Sequence, residues 1–314
     1  MSENQDTAGR SSNTRRAFLG LAAAGAGAVA VTAGTTVPAY LRTPAAPLPA
    51  TAAAGRYSGK VVVLTGGTSG IGEAAVREFA AEGAAVVFCG RREDLGRAVA
   101  GSLPGAAHFV RADVREPDDV AALFAEVDRR FGRLDVAVAN AGITRTAPAA
   151  ELALADFDDV LGTNLRGAFL TVKHAVPLLL RSGGGAILCT ASESRRPGGA
   201  AYSASKLGLQ GLVAAVAQDY GTRGIRVNAI APGTTDTAFV RPPGLPDAVW
   251  NQFRDAWGPL NVSGLARMAT PREIARAMVA LCSDDFGYLA GSTVLVGGGP
   301  LGGGAMRMPP GVPG

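Results

Sequence analysis

From residue 60 to residue 298 two patterns alternate: short runs of apolar, often β-branched residues, and longer stretches with apolar positions at helical spacing. KVVVLT (60–65), AAVVFC (84–89), AHFVRA (107–112), LDVAVAN (134–140), GAILCTA (185–191), IRVNAIAP (225–232) and STVLVGG (292–298) predict strands. The stretches 71–82, 94–101, 118–131, 151–181, 202–222 and 271–282 predict helices between them. Strands that are nearly continuous apolar runs, joined by crossover helices, indicate a parallel sheet covered on both faces. The expected fold is therefore α/β: a three-layer, doubly wound parallel sheet in a single domain. Ligands of such sheets bind beyond the carboxyl ends of the strands.

The pattern is different before residue 56. Thr14-Arg15-Arg16-Ala17-Phe18-Leu19 fits the twin-arginine export pattern, and residues 17–41 carry no charge. Gly20, Gly25, Gly27 and Gly34 argue against a buried helix there, since each is about 1 kcal/mol less favourable than alanine in a helix. A retained membrane anchor is the rival reading, because an uncharged stretch of this length can span a bilayer. A Pro/Ala-rich zone follows, with small residues suited to cleavage after Ala39 or near Ala54. The expected organisation is a signal and linker over 1–55, a catalytic domain over 56–299 and a flexible Gly/Pro-rich tail over 300–314. Export to the periplasm or beyond, through the twin-arginine machinery, follows from that reading.

Composition narrows the chemistry. Of the net charge of +4, Arg10, Arg15, Arg16 and Arg42 against Glu3 and Asp6 place +2 in the first 54 residues, and no basic run follows. Nucleic acid is not an expected partner. Cys89, Cys189 and Cys282 lie in or beside apolar runs, with no CxxC pair, and His108 and His174 stand alone. No metal site is expected.

Two places carry candidate chemistry. The first strand runs into Thr65-Gly66-Gly67-Thr68-Ser69-Gly70-Ile71-Gly72, where glycines between strand and helix let the backbone approach a pyrophosphate. The second strand ends in Gly90-Arg91-Arg92, where an NAD-binding protein commonly places an acid for the ribose hydroxyl. Arg91 and Arg92 suit a 2′-phosphate, so NADP is expected, while Glu93 and Asp94 leave NAD open. Beyond the fifth strand come Ser192 and then Tyr202-Ser203-Ala204-Ser205-Lys206. Positions four apart share a helix face, and a cation beside a phenol favours the phenolate needed for proton abstraction.

TGGTSGIG, ADV (112–114), NAG (140–142), Asn164, Ser192, YSASK (202–206) and PGTTDT (232–237) occur here in the order of the classical short-chain dehydrogenase/reductase family, which residues 57–299 resemble. The resemblance implies a Rossmann-type domain, a homodimer or homotetramer, and hydride transfer between a nicotinamide cofactor and a secondary alcohol or ketone. It implies that Tyr202 is the general acid/base, that Lys206 lowers the Tyr202 pKa and binds the nicotinamide ribose, and that Ser192 orients the substrate oxygen. Asn164 would hold a water that links Lys206 to solvent. The cofactor would meet Gly66, Thr68, Ser69, Gly70, Ile71 and Gly72, then Asp113 and Val114 at the adenine, with Asn140, Ala141 and Gly142 at the central strands. Pro232, Gly233, Thr235 and Thr237 would face the nicotinamide.

Two features depart from the family. Ser192 and Tyr202 are only ten residues apart, where about a dozen are usual, and Glu193, Arg195 and Arg196 lie between them. These arginines read as solvated loop charges, with an acidic substrate as the other reading. The last strand ends in Val296-Gly297-Gly298 without the usual acid. The segment 237–266 would cover the substrate, and Phe239, Trp250, Phe253 and Trp257 there would either favour an apolar alcohol or ketone or simply pack. An exported cofactor-binding structural or sensing protein without turnover is the alternative function.

Overall fold

The structure is a computed structural model that describes residues 55–194, 196–299 and 307. The twin-arginine segment, its linker, Arg195 and most of the tail lie outside the described residues.

Seven parallel strands form one sheet in the order β3-β2-β1-β4-β5-β6-β7. They are β1 (Val61–Thr65), β2 (Ala85–Gly90), β3 (Ala107–Arg111), β4 (Val136–Ala139), β5 (Gly185–Thr190), β6 (Ile225–Pro232) and β7 (Thr293–Val296). The helices are α1 (Gly70–Ala81), α2 (Glu93–Gly101), α3 (Pro117–Phe131), α4 (Leu154–Leu161), α5 (Gly167–Arg181), α6 (Ala200–Tyr220), α7 (Asp247–Asn261) and α8 (Pro271–Cys282). This is the expected doubly wound, Rossmann-type sheet. The alternation of side chains along β1 shows why its strands read as solid apolar runs. Val61 and Val63 enter a core with Leu123, Val127, Leu179 and Val213, beneath α3, α5 and α6. Val62 and Leu64 enter the opposite core with Val76, Phe79, Ile274 and Met278, beneath α1 and α8.

The winding reverses between β1 and β4, and the crevice at their carboxyl ends is where such sheets take ligands. Helix α8 starts on a capping box, with Thr270 and Glu273 satisfying each other's backbone amides, and Pro271 at its first turn. The stretch 151–181 is not continuous α-helix: between α4 and α5 lies a π-turn, Gly162–Arg166, a local widening that often marks functional sites. Helix α7 was not anticipated from sequence. Its Trp250 and Trp257 are buried with Val262 and Met268, and Phe253 packs against them. Packing is therefore the role of three of the four aromatics in the covering segment.

All three cysteines are buried, and burial pushes each thiol up to about 12. His108 lies tilted against Phe131 and His174 stacks on Phe124, both with pKa values lowered by burial. Among the described residues no helix is long and apolar enough to cross a membrane.

Candidate active site

The turn after β1 is shaped by glycines that no other residue could replace without movement. Gly66 (φ +72°) and Gly70 (φ +58°) adopt the left-handed region. A Cβ on Gly66 would lie 2.8 Å from the Ala141 Cα, and one on Gly72 would lie 2.1 Å from the Gly66 carbonyl oxygen. Asn140 locks the same place: its Nδ2 donates to the carbonyls of Thr65 and Gly66, and its Oδ1 accepts from Thr190 Oγ1. The Thr65 hydroxyl accepts from the amides of Asn140 and Ala141, a role not foreseen from sequence. The result is a narrow backbone cradle at the start of α1, which fits the pyrophosphate of a dinucleotide. Thr68, Ser69 and Ile71 line the turn, and Thr237 comes within 3.2 Å of a Cβ placed on Gly70. Thr235 is buried, with its hydroxyl donating to the Gly233 carbonyl, and Gly233 in turn donates its amide to Val296 after Pro232 ends β6.

The end of β2 explains itself physically. A Cβ on Gly90 would lie 2.6 Å from Thr68 Cγ2, so any side chain there would have to displace Thr68. Arg92 reaches back over the turn and donates to Thr68 Oγ1 (3.1 Å) and Ser69 Oγ. Arg91 is exposed and stands 4.0 Å from an Asp113 oxygen.

Asp113 is not a free acid. Arg115 holds its carboxylate through three contacts of 2.6–3.1 Å and also reaches Asp159 at 2.7 Å. Burial alone would raise the Asp113 pKa, but the Arg115 hydrogen bonds and charge, with Arg91, hold it below the ordinary value. Arg115 was missed by motif reading; its only sequence signal is its place two residues after the Asp of the ADV motif. Val114 is buried beside it, against Gly167.

At the carboxyl end of β5 the four predicted catalytic side chains come together. Tyr202 and Lys206 share a face of α6, with Lys206 Nζ 5.7 Å from the Tyr202 ring centre. Ser192 is near enough to Tyr202 to act on the phenol's ionisation, and its hydroxyl accepts from the Ser194 amide at 3.1 Å. The π-turn delivers Asn164, whose Oδ1 accepts from the Ile143 amide (2.8 Å) while Nδ2 donates to the Ile143 carbonyl and Ser205 Oγ (3.0 Å each). Asn164 thus ties the loop after β4 to α6. Gly142 completes the contact, since a Cβ there would lie 3.3 Å from Lys206 Nζ and 3.4 Å from Asn164 Oδ1.

The electrostatics differ from the expectation that Lys206 lowers the tyrosine pKa. Lys206 Nζ is directed to the Thr190 carbonyl at 2.6 Å, and burial lowers its own pKa to about 8. Burial pushes the Tyr202 phenol up, opposed by Ser192 and the positive charge of Arg196. Removing a charged group from water outweighs a neighbour's help unless the two are closely paired. Phe239 packs beside the Tyr202 ring at 5.9 Å and forms an apolar wall. A shallow hollow lined by Lys60, Pro104 and Arg133 lies at the opposite ends of the strands and holds none of the predicted residues.

A dinucleotide cradle joined to a Ser-Tyr-Lys-Asn group at the same sheet edge defines a nicotinamide-dependent oxidoreductase of alcohols and ketones. Residues 66–300 match a family model described as enoyl-(acyl carrier protein) reductase. The chain is 37% identical over 264 residues to a 3beta-hydroxysteroid dehydrogenase of Mediterraneibacter gnavus, covering 78% of this chain and 96% of that protein. It is 38% identical over 250 residues to short-chain dehydrogenase reductase 3a of Arabidopsis thaliana, covering 78% and 96%. A cis-4-hydroxycyclohexanecarboxylate dehydrogenase of Sinomonas cyclohexanicum is 40% identical over 250 residues, covering 77% and 97%. The chain belongs to the short-chain dehydrogenase/reductase family.

Proposed function

We propose that the protein interconverts a secondary alcohol and a ketone with NADP as cofactor, and that Tyr202 is its proton-transfer group. The observation that carries this reading is the convergence of Ser192, Tyr202, Lys206 and Asn164 at the carboxyl end of β5, beside the glycine cradle. Bound nicotinamide supplies or accepts the hydride; the rest falls to this chain. Ser192 and Tyr202 hold the substrate oxygen between their hydroxyls. In reduction Tyr202 gives its phenolic proton to that oxygen, and in oxidation its phenolate removes the hydroxyl proton. Lys206, held by the Thr190 carbonyl, stands beside the phenol, and Asn164 keeps the loop after β4 in place around it. Phe239 gives the substrate an apolar surface. A panel of secondary alcohols and ketones, followed by cofactor absorbance in wild type and the Tyr202→Phe variant, tests the reading; cofactor binding without Tyr202-dependent turnover on any substrate would favour the structural or sensing alternative.

The choice of NADP rests on Gly90, Arg91 and Arg92. Gly90 leaves no carboxylate for a ribose hydroxyl, and Arg92, held by Thr68 and Ser69, places a cation over the turn. Replacing both arginines by alanine should weaken NADP binding at least 10-fold while NAD binding changes less than about 3-fold, as read by isothermal titration. Equal losses for the two cofactors would count against the assignment.

We also propose that the protein is exported folded through the twin-arginine route, supported by Thr14-Arg15-Arg16-Ala17-Phe18-Leu19. That route carries folded cargo and can retain a non-covalent dinucleotide. Replacing Arg15 and Arg16 by lysine should keep the protein in the cytoplasm; an unchanged location would refute export by this route. A homodimer or homotetramer is part of the same reading, supported by Phe169 on α5 and Leu207 on α6, which are exposed at 47% and 40%. Light scattering that returned a monomer mass would overturn it.

A further inference from the structure

The loop between β5 and α6 carries a cation that the proton-transfer chemistry does not use. Arg196 lies between Ser192 and Tyr202 in sequence, on a segment that docks against the loop after β4: the Ala147 amide donates to the Gly198 carbonyl at 3.1 Å, and Gly198 takes φ +73°. The sequence reads Arg196 as a solvated loop charge, but its side chain is only partly exposed. Its Nε is buried and meets no acceptor among the described residues, and its Nη2 has only a long contact to Thr144 Oγ1 at 3.4 Å. Arginines elsewhere in the fold are mostly engaged by carboxylates, as Arg115, Arg133, Arg254 and Arg267 show. The neighbouring acid, Glu193, accepts instead from Gln210 on α6 at 2.9 Å. A buried guanidinium donor without an acceptor is unfavourable, and a planar fork of donors matches a carboxylate. Arg196 meets the loop after β4 at Thr144, next to Ile143 that Asn164 holds, and its charge is within range of the Tyr202 phenol. Phe239 flanks the same phenol with an apolar ring.

We propose that Arg196 is a specificity-determining residue that receives the carboxylate of the substrate, so that the preferred substrates are oxo- or hydroxy-acids whose apolar frame separates the carboxylate from the reacting carbon. This inference rests on the oxidoreductase reading of the Ser192–Tyr202 site. The carboxylate completes the open donors of Arg196 while Ser192 and Tyr202 hold the oxygen at the other end. An amide or ester of the same frame leaves the guanidinium unpaired and is discriminated against.

The test compares 4-oxocyclohexanecarboxylate with its methyl ester, and 4-oxopentanoate with 2-pentanone, in the NADPH-loaded wild type, Arg196→Gln and Arg196→Lys proteins. In at least one pair the wild type should favour the acid about 50-fold or more in kcat/KM, and Arg196→Gln should remove most of that advantage, chiefly through KM. Arg196→Lys should restore part of it, and the neutral partner should fall much less than the acid. A turnover-free readout accompanies it: titration of cyclohexanecarboxylate, which has no reacting carbonyl, into NADP-loaded wild type and Tyr202→Phe proteins, each with and without Arg196→Gln. Binding that depends on Arg196 in both backgrounds supports the carboxylate subsite even if no ketone is reduced, an outcome that would count against the redox reading alone. Tyr202-dependent reduction of neutral ketones, with no acid preference and no effect of Arg196 on binding, would overturn the subsite and leave the redox reading standing. An equal fall for acid and neutral partner, with a shifted pH profile, would also overturn it, because Arg196 would then act only on the Tyr202 phenol.

Discussion

Tyr202→Phe should lower kcat about 10³-fold while leaving NADP affinity within about 3-fold of wild type. The substitution removes one oxygen from a largely buried ring and keeps the packing of that ring against Phe239. It removes the phenol from the Ser192-Lys206-Asn164 group. Loss of a single hydroxyl should change stability by only about 1 kcal/mol, so a fall in rate cannot be blamed on unfolding. The pH dependence carries a sign as well. Because burial raises the Tyr202 pKa, the phenol form needed for ketone reduction persists through neutral pH and is lost only as pH rises through that raised pKa. Alcohol oxidation needs the phenolate and should accelerate with pH over the same range. Initial rates in both directions, with cofactor affinity measured separately, check each part.

Gly72→Ala should have the next largest effect, and on binding instead of chemistry. The added Cβ would stand 2.1 Å from the Gly66 carbonyl oxygen and 2.6 Å from Asn140 Nδ2. The first neighbour is backbone and the second is held by the carbonyls of Thr65 and Gly66, so neither yields without opening the turn. Overpacking of this kind destabilises by about 1–3 kcal/mol. It also separates α1 from the turn whose amides would face the pyrophosphate, and NADP affinity should fall at least 100-fold. Gly101→Ala, at the end of α2 where a Cβ would meet nothing within 4 Å, is the control and should move stability by less than about 1 kcal/mol. Equal effects of the two substitutions would show that the close approach at Gly72 does not matter.

Much of the fold was legible because the inner strands β1, β2, β4, β5 and β6 are buried on both faces, so each had to be apolar at successive positions, and the helices between them had to be long enough to cross over. Helix α7 escaped because its residues include Gly258 and Pro259 and its apolar side chains fill a small separate core instead of the main sheet. The π-turn at Gly162–Arg166 is equally silent, since the residues that form it would also suit an α-helix. The site residues were read from motifs, and the geometry then supplied what motifs lack. Nothing in the spacing of Tyr202 and Lys206 says that the ammonium will turn to the Thr190 carbonyl, because that depends on where β5 ends. The pairing of Arg115 with Asp159 joins residues far apart in sequence, and the surroundings of Arg196 depend on how two loops meet.

In the proposed reaction Tyr202 governs proton transfer coupled to a hydride from nicotinamide. Reduction of a ketone from the panel with NADPH deuterated at the transferable C4 position tests it most directly. The product alcohol should carry deuterium on its carbinol carbon, with a primary isotope effect on single turnover, and Tyr202→Phe should suppress that transfer about 10³-fold with cofactor still bound. Tight NADPH binding with no label reaching any ketone, or label transfer that is indifferent to Tyr202→Phe, would contradict it.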